Sequence, residues 1–354
     1  MKIGLIIYGS LNTLSGGYLY DRKLVEYLRS EGDSVEIISL PWRTYAAHLT
    51  DNLHFRLPTN LDILIQDELN HPSLIVANWK KHPYPVISLV HHLRSSELRV
   101  AWQNAFYRMV EKRYLQSVDG FIFNSKTTQR VVKSLVGNQK PSVIAYPPTD
   151  RFGAPLAEEE IIKRSITDEF RILFLGNVIY RKGLHTLLNA VIGLKSKVSV
   201  DVVGSLDSNP TYVKLIRELI SENYLASCVF LHGSLDQEPL IAKLKQAHVL
   251  VVPSSYEGFG IVYLEGMGFG LPAIGTLAGA ASEIISDGVD GFLIEPENAD
   301  QLAERLKVLN ENREILIQMS LVARNRYLRQ PKWEETVHQI RGFLQKRIEA
   351  FPVE

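Results

Sequence analysis

The chain has 354 residues, 45% of them hydrophobic and 22% charged, which is enough for two domains with full cores. Lys and Arg number 39 and Asp and Glu also 39, so no global charge draws the chain to nucleic acid or to an acidic partner. The single cysteine, Cys228, excludes an internal disulfide, reads as a small buried residue in SCVFL, and fits a cytoplasmic chain.

The opening KIGLIIYG is basic then apolar but only as long as one strand, and no small-residue cleavage site follows, so it reads as a strand and not a signal. No run approaches the roughly 20 apolar residues needed to span a bilayer. Short β-branched runs then alternate with helical-period segments: a helix over Tyr18–Glu31, strands SVEIISL, LDILIQ and PVISLVHH, a long helix over Leu98–Gln116, and strands GFIFNS and SVIAYPP. This βαβ rhythm predicts a parallel sheet covered by helices on both faces. Prolines in AYPPTDRFGAP break it, the connecting helix LAEEEIIKRS follows, and the boundary falls near 150–168. The expected domains are 1–160 and 161–333.

The second half repeats the scheme: RILFLGNV, a helix over Gly183–Leu194, VSVDVVGS, a helix over Thr211–Glu222, CVFLHGS, a helix over Glu238–Ala247, VLVVPSS, PAIGT, a helix over Ala281–Ser286, GFLIEP, and a helix from Ala299. Each strand ends in a small or polar loop, where open α/β sheets bind ligands, and two such sheets facing each other enclose a cleft. The tail PKWEETVHQIRGFLQKRIEA is one more amphipathic helix, with Trp333, Ile340 and Leu344 near one face.

Between VLVVPSS and the buried helix IVYLEGMGF lies a glycine-rich strand-to-helix turn, Tyr256-Glu257-Gly258-Phe259-Gly260. Such a turn exposes backbone N–H groups at a helix start, a ready site for phosphate. Glu265 sits about one and a half turns into that helix and leans back toward the border that Glu257 occupies. Among Leu264, Met267 and Phe269 a carboxylate costs several kcal/mol, roughly, unless something bonds it. A ribose diol offers two hydroxyl donors to two carboxylate oxygens. The plainer alternative is that both acids merely favour the positive end of a helix.

The segment EGFGIVYLEGMGFGLPAIGT resembles the E-x7-E region of retaining glycosyltransferases of family 4, which have the GT-B fold of two facing Rossmann-like, doubly wound α/β domains with a cleft between them. LFLGNVIYRKGLHTLLNA, FLHGSL and SEIISDGVDGFLIEP match the family in order and spacing; in the first half only SGG, SLVHH and FIFNS do. The resemblance implies that Arg181 and Lys182 clamp a donor diphosphate and stabilise charge on the leaving group. It implies that Glu265 holds the ribose and that Glu257, beside Gly258, Phe259, Gly260 and Ile261, holds the sugar. Ser15, Gly16 and Gly17 approach the diphosphate by backbone, Ser234 and Leu235 lie where family members hold the base, and His91 contacts the transferred sugar. His92 stands where that family often has Asp, which leaves open which ring points inward.

The implied activity is transfer of a hexose from a nucleoside-diphosphate sugar, UDP- or GDP-linked ahead of ADP-linked, to a sugar or lipid-linked acceptor. Substitution occurs on one face, with the departing diphosphate helping to take the acceptor proton. No cofactor and no metal is expected, since no Asp-x-Asp or His cluster is visible. QDELNHPSL and HHLRSSELR are the clues to an acceptor site on the first domain, and the final helix, 334–354, is expected to cross back to it. Trp102, Phe106, Met109 and Arg113 share one helical face beside Arg99 and Lys112. Core packing is the expected role of that face; the alternative is contact with an anionic membrane, at the inner face of which the protein would be peripheral. Two other functions compete: a non-catalytic nucleotide-sugar or glycan binder, and a dinucleotide-dependent oxidoreductase or epimerase, for which G-x-G-x-x-G and Tyr-x-x-x-Lys are both missing.

Overall fold

A computed structural model describes residues 1–13, 15–148, 150–194 and 198–352. It divides into two units, Met1–Pro148 with the chain from Pro331 onward, and Thr149–Gln330. The first division falls at Pro148, earlier than the expected 160, because the connecting helix belongs with the second unit.

The first unit is a six-stranded sheet in the order β2-β1-β3-β4-β5-β6. Its strands are β1 (Lys2–Tyr8), β2 (Ser34–Leu40), β3 (Ile63–Asp67), β4 (Val86–Val90), β5 (Gly120–Phe123) and β6 (Ser142–Ile144), all paired parallel. Between them run α1 (Gly16–Ser30), α2 (Tyr45–Asp51), α3 (His71–Trp79), α4 (Ala101–Ser117) and α5 (Lys126–Val136). β3, β4 and β5 are buried along their whole length, as strands covered by helices on both faces must be. The chain turns from β2 back across β1 to β3, so its topological switch point lies between β1 and β3.

The second unit begins with α6 (Glu158–Ser165) and carries the sheet β12-β11-β10-β7-β8-β9. Its strands are β7 (Phe170–Leu175), β8 (Val198–Val203), β9 (Val229–Gly233), β10 (Val249–Val251), β11 (Ala273–Thr276) and β12 (Gly291–Ile294), again parallel. The helices are α7 (Leu184–Ile192), α8 (Pro210–Glu222), α9 (Gln237–Gln246), α10 (Ile261–Gly268), α11 (Ala281–Ile284), α12 (Ala299–Glu311) and α13 (Arg313–Leu328). Here the chain winds outward from β7 through β9 and returns to the other side of β7, which puts the switch point between β7 and β10.

The last helix, α14 (Trp333–Glu349), returns to the first unit. Val337, Ile340 and Leu344 join Ile3, Leu5 and Ile63 in one core, and Trp333 stands edge-on to Tyr20 at 5.5 Å between centroids. Of the helix expected over 334–354, residues 353 and 354 lie outside the described residues.

Two expectations are corrected. Cys228 is half-buried, its thiol directed at the Leu225 carbonyl at 3.4 Å, because it caps a short turn ahead of β9 and does not face the sheet core. The Trp102 face of α4 is not a core face: α4 buries Val110, Glu111, Tyr114 and Leu115, while Trp102 is 71% exposed, Met109 47% and Phe106 40%. Tyr114 and Leu115 fill the space against the sheet, with Tyr114 donating to Ser88 at 3.1 Å, and so turn the other apolar stripe outward.

Candidate functional site

The loops after β7 and β10 meet at the switch point of the second unit. β7 ends at Leu175; a short helical turn, Tyr180–Lys182, follows, and Gly183 then opens α7. Gly183 adopts φ +70°, and a Cβ there would stand 2.2 Å from the Pro253 carbonyl oxygen. Only glycine allows the two loops to approach so closely. Arg181 and Ser255 tie them together, the Ser255 amide donating to the Arg181 carbonyl at 2.8 Å. The outcome is an ion group: Lys182 Nζ donates to Glu257 Oε1 at 2.5 Å, Ser254 Oγ donates to the same oxygen at 2.6 Å, and Arg181 Nη1 lies 3.6 Å from it. Arg181 also donates to the Tyr256 carbonyl at 2.7 Å.

Burial by itself would raise the Glu257 carboxyl, but Lys182 and Arg181, with the hydrogen bonds from Lys182 and Ser254, hold it at about 2. Burial pushes the Lys182 ammonium below its ordinary value against the pull of Glu257. A concentrated group of two cations and one carboxylate, largely out of water, thus sits at the carboxyl edge of the sheet. Phe259 is buried beside it, Gly258 and Ile261 are half-buried, and Gly260, at φ +93° in the left-handed region, starts α10.

α10 buries every residue from Tyr263 to Gly268, Glu265 included. The sequence left this carboxylate without a protein partner; the structure supplies Arg151, whose Nη1 donates to Glu265 Oε1 at 3.0 Å. Burial raises the Glu265 carboxyl and Arg151 opposes it. Arg151 itself is 38% exposed on its side chain and stacks over Phe152, so it is a cation held at the surface over a buried acid. Ser234 and Leu235 follow β9, two strands from β7 and hence about 10 Å along the same carboxyl edge. Ser234 is exposed and Leu235 half-buried.

In the first unit a second group of charges gathers at the switch point between β1 and β3. Ser15 caps α1 by accepting from the Tyr18 amide at 3.3 Å, which sets Gly16 and Gly17 at the helix start. A Cβ on Gly17 would stand 3.3 Å from His91 Cδ2, so the imidazole packs against bare backbone. His91 Nε2 bonds Asp21 Oδ1 at 3.0 Å, and Asp67, at the end of β3, brings a carboxylate oxygen into a group with both whose ligand atoms all lie within 4.8 Å. Asp21 is fully buried and its Oδ2 has no partner among the described residues. Burial would lower the His91 imidazole, but Asp21, with Asp67 and Glu68 nearby, raises it to about 9. Burial and Asp21 push Asp67 to about 7. His92 instead bonds Glu97 at 2.9 Å, so of the two rings His91 is the one set into the switch point.

Behind it lies a third group, Glu68, His71 and Glu111, all buried. Burial raises Glu68 to about 8 and Glu111 to about 7, and lowers His71 to about 4. Glu111 receives the Ser95 amide at 3.1 Å and the Ser95 hydroxyl at 2.5 Å, and Tyr45 bonds His71 at 2.8 Å. Both three-residue groups have the donor types of a divalent-ion site. Asp67, Glu68 and His71 follow one another closely between the end of β3 and the start of α3, but Asp21 on α1, His91 just after β4 and Glu111 on α4 are too far from them in the chain for any spacing rule to join. Sequence reasoning singled out His91 but not Asp21 or Asp67 as its neighbours. A period-3.6 count placing Asp21 beside Gly17 on α1 was the one signal available.

The family described as glycosyl transferases group 1 matches residues 157–326, which cover α6 through most of α13. An MMP alpha-(1->4)-mannosyltransferase of Mycolicibacterium hassiacum is 27% identical over 282 residues, 76% of this chain and 67% of that protein. Matches to the first curated relatives span between 38 and 67% of those proteins' own length. Among solved structures, a sucrose-phosphate synthase from Thermosynechococcus elongatus superposes with a TM-score of 0.83 at 20% identity, covering 99% of this chain and 100% of that one. Anabaena HepE in complex with UDP and glucose does so at 0.76 and 18% identity, covering 98% and 99%. The fold is thus that of the GT-B glycosyltransferases.

Proposed function

Because residues 157–326 form a glycosyl transferases group 1 domain, we propose that the protein is a retaining glycosyltransferase of family 4 type that moves a hexose from a nucleoside-diphosphate sugar to a sugar or lipid-linked acceptor. The observation that carries this reading is the Lys182–Glu257–Arg181 group at the β7/β10 switch point. Arg181 and Lys182 both face the Glu257 carboxylate there, and a diphosphate brings the negative charge that two such cations take up. When the donor enters, its diphosphate draws Lys182 and Arg181, and Glu257 turns from the ammonium to the sugar hydroxyls. The first amides of α10 add donors that need no reorganisation.

Glu265 takes the ribose by exchanging its bond from Arg151 to the diol, and the base runs along the sheet edge toward Ser234 and Leu235. The resemblance gives His91, which Asp21 holds by a 3.0 Å bond, the contact to the transferred sugar. Charge that builds on the leaving diphosphate is met by Lys182 and Arg181, and the diphosphate oxygen takes the acceptor proton on the same face. The chain's own work is positioning and charge stabilisation, with no enzyme nucleophile. We read the donor base as uracil or guanine ahead of adenine, and expect catalysis without metal.

A thermal-shift screen of UDP, GDP and ADP sugars tests the reading, since a bound donor raises the melting temperature by mass action. One donor should stand out, and its stabilisation should vanish in Lys182→Ala. A flat response to every nucleotide sugar would refute the assignment. A binder without chemistry is told apart by donor hydrolysis or transfer, which Glu257→Ala abolishes only in an enzyme.

A further inference from the structure

The outward face of α4 has a composition that a solvated helix does not need. Trp102, Phe106 and Met109 lie on it, and Leu98 and Val100, just ahead of the helix, are 64% and 55% exposed. Arg113 lies on the same face and Lys112 on its flank, with Arg108 further round the helix; all three are exposed, and none has an acidic partner among the described residues. α4 has one acid, Glu111, and it points inward, fully buried. Of the acids flanking the helix, Glu97 is taken up by His92 and Arg99, and Asp119 accepts from the Val86 amide at 2.8 Å. α3, which packs against α4, adds exposed Trp79 and Val76.

We infer that this face is a docking surface for an anionic lipid bilayer, with α4 lying in the interface plane, its aromatic and Met side chains among the acyl chains and its cations at the headgroups. A face both apolar and cationic, without acids, is complementary to a surface that is apolar beneath and negative above. A second copy of the chain fits worse, because a two-fold pairing sets the face against itself and brings cation against cation. No described helix is long and apolar enough to cross a membrane, so contact would be from one side. The inference is independent of the donor reading, since a chain that transfers nothing would bind vesicles all the same.

The test is flotation of the full chain with phosphatidylcholine vesicles, with and without phosphatidylglycerol, at low and high salt. Binding should require the anionic lipid and fall with salt. Each cation near such a surface contributes about fivefold, so Arg108→Gln, Lys112→Gln and Arg113→Gln together should weaken partition about 100-fold. Trp102→Ser with Phe106→Ser should abolish flotation while circular dichroism stays unchanged. The Trp102 contribution to emission, obtained as the difference from Trp102→Phe, should be quenched by brominated lipid. No flotation, flotation indifferent to both sets of variants, or equal retention on soluble polyglutamate with Trp102 unquenched would each overturn the inference. So would a concentration-dependent dimer that disappears in Trp102→Ser.

Discussion

Replacing Glu257 by Gln keeps the shape of the side chain and removes the charge that holds Lys182. Its carboxyl is at about 2 in the folded chain against an ordinary 4.5, a gap of about 2.5 units or about 3 kcal/mol at neutral pH. A depressed carboxyl contributes stability that is present above 4.5 and is lost as pH falls toward 2. In Glu257→Gln the Lys182 ammonium, 13% exposed on its side chain, stays buried without its counter-charge, and breaking such a pair costs about 3–5 kcal/mol. We therefore expect Glu257→Gln to lower the stability of the second unit by about 3 kcal/mol at pH 7 and about 1 kcal/mol at pH 3. Adding Lys182→Met should restore most of the loss, since removing both charges leaves neither unpaired. Tryptophan fluorescence cannot read this, because Trp42, Trp79, Trp102 and Trp333 all lie in the first unit. Cys228, the single cysteine, lies in the second, so its rate of thiol labelling in urea reports that unit alone. A double variant no more stable than Glu257→Gln, or a loss that does not change between pH 7 and pH 3, would refute the reasoning.

Three further outcomes follow from the same geometry. Glu265→Gln should weaken nucleotide binding about tenfold or more by calorimetry, the worth of a hydrogen bond to a charged group, while Arg151→Ala, which only frees Glu265, should not weaken it. Asp21→Asn should lower the His91 imidazole from about 9, because burial is then opposed only by the more distant Asp67 and Glu68; NMR titration reads it. The raised imidazole contributes stability that is full below its unfolded value of about 6.5 and is lost as pH rises through about 9, so the wild-type first unit should melt earlier at pH 9 than at pH 6, and Asp21→Asn should flatten that difference. Glu68 works in the opposite sense: its carboxyl, raised to about 8, makes the folded state weaker as pH rises from 4.5 to 8, so Glu68→Gln should gain about 3 kcal/mol at pH 7 and little at pH 5 by tryptophan-detected denaturation.

Much of this was legible in the chain. Twin parallel sheets follow from β-branched runs buried on both faces, and the residues of the β7/β10 site follow from a resemblance that covers nearly all of the second unit. Other features were hidden for identifiable reasons. Arg151 lies in an irregular, proline-flanked segment with no period to place its side chain, so nothing pointed it at Glu265. Asp21 and Asp67 meet His91 only because the chain crosses β1 to reach β3, and strand order is not written in local pattern. The α4 face failed in another way. Periodicity tells which residues share a face but not which way it looks, and α4 has two apolar stripes, of which Tyr114 and Leu115 won the sheet.

The first unit is closed by a segment made only after the whole second unit. Val337, Ile340 and Leu344 fill a place beside β1 and β3, yet the ribosome must first translate the 182 residues from 149 to 330 (330 − 149 + 1). At about 5–20 residues per second that interval lasts roughly 9–36 seconds. During it the nascent sheet displays an uncovered oily flank, which makes the growing polypeptide a natural client for chaperones, and a message cut short before α14 would yield a sticky product whichever site it had already built.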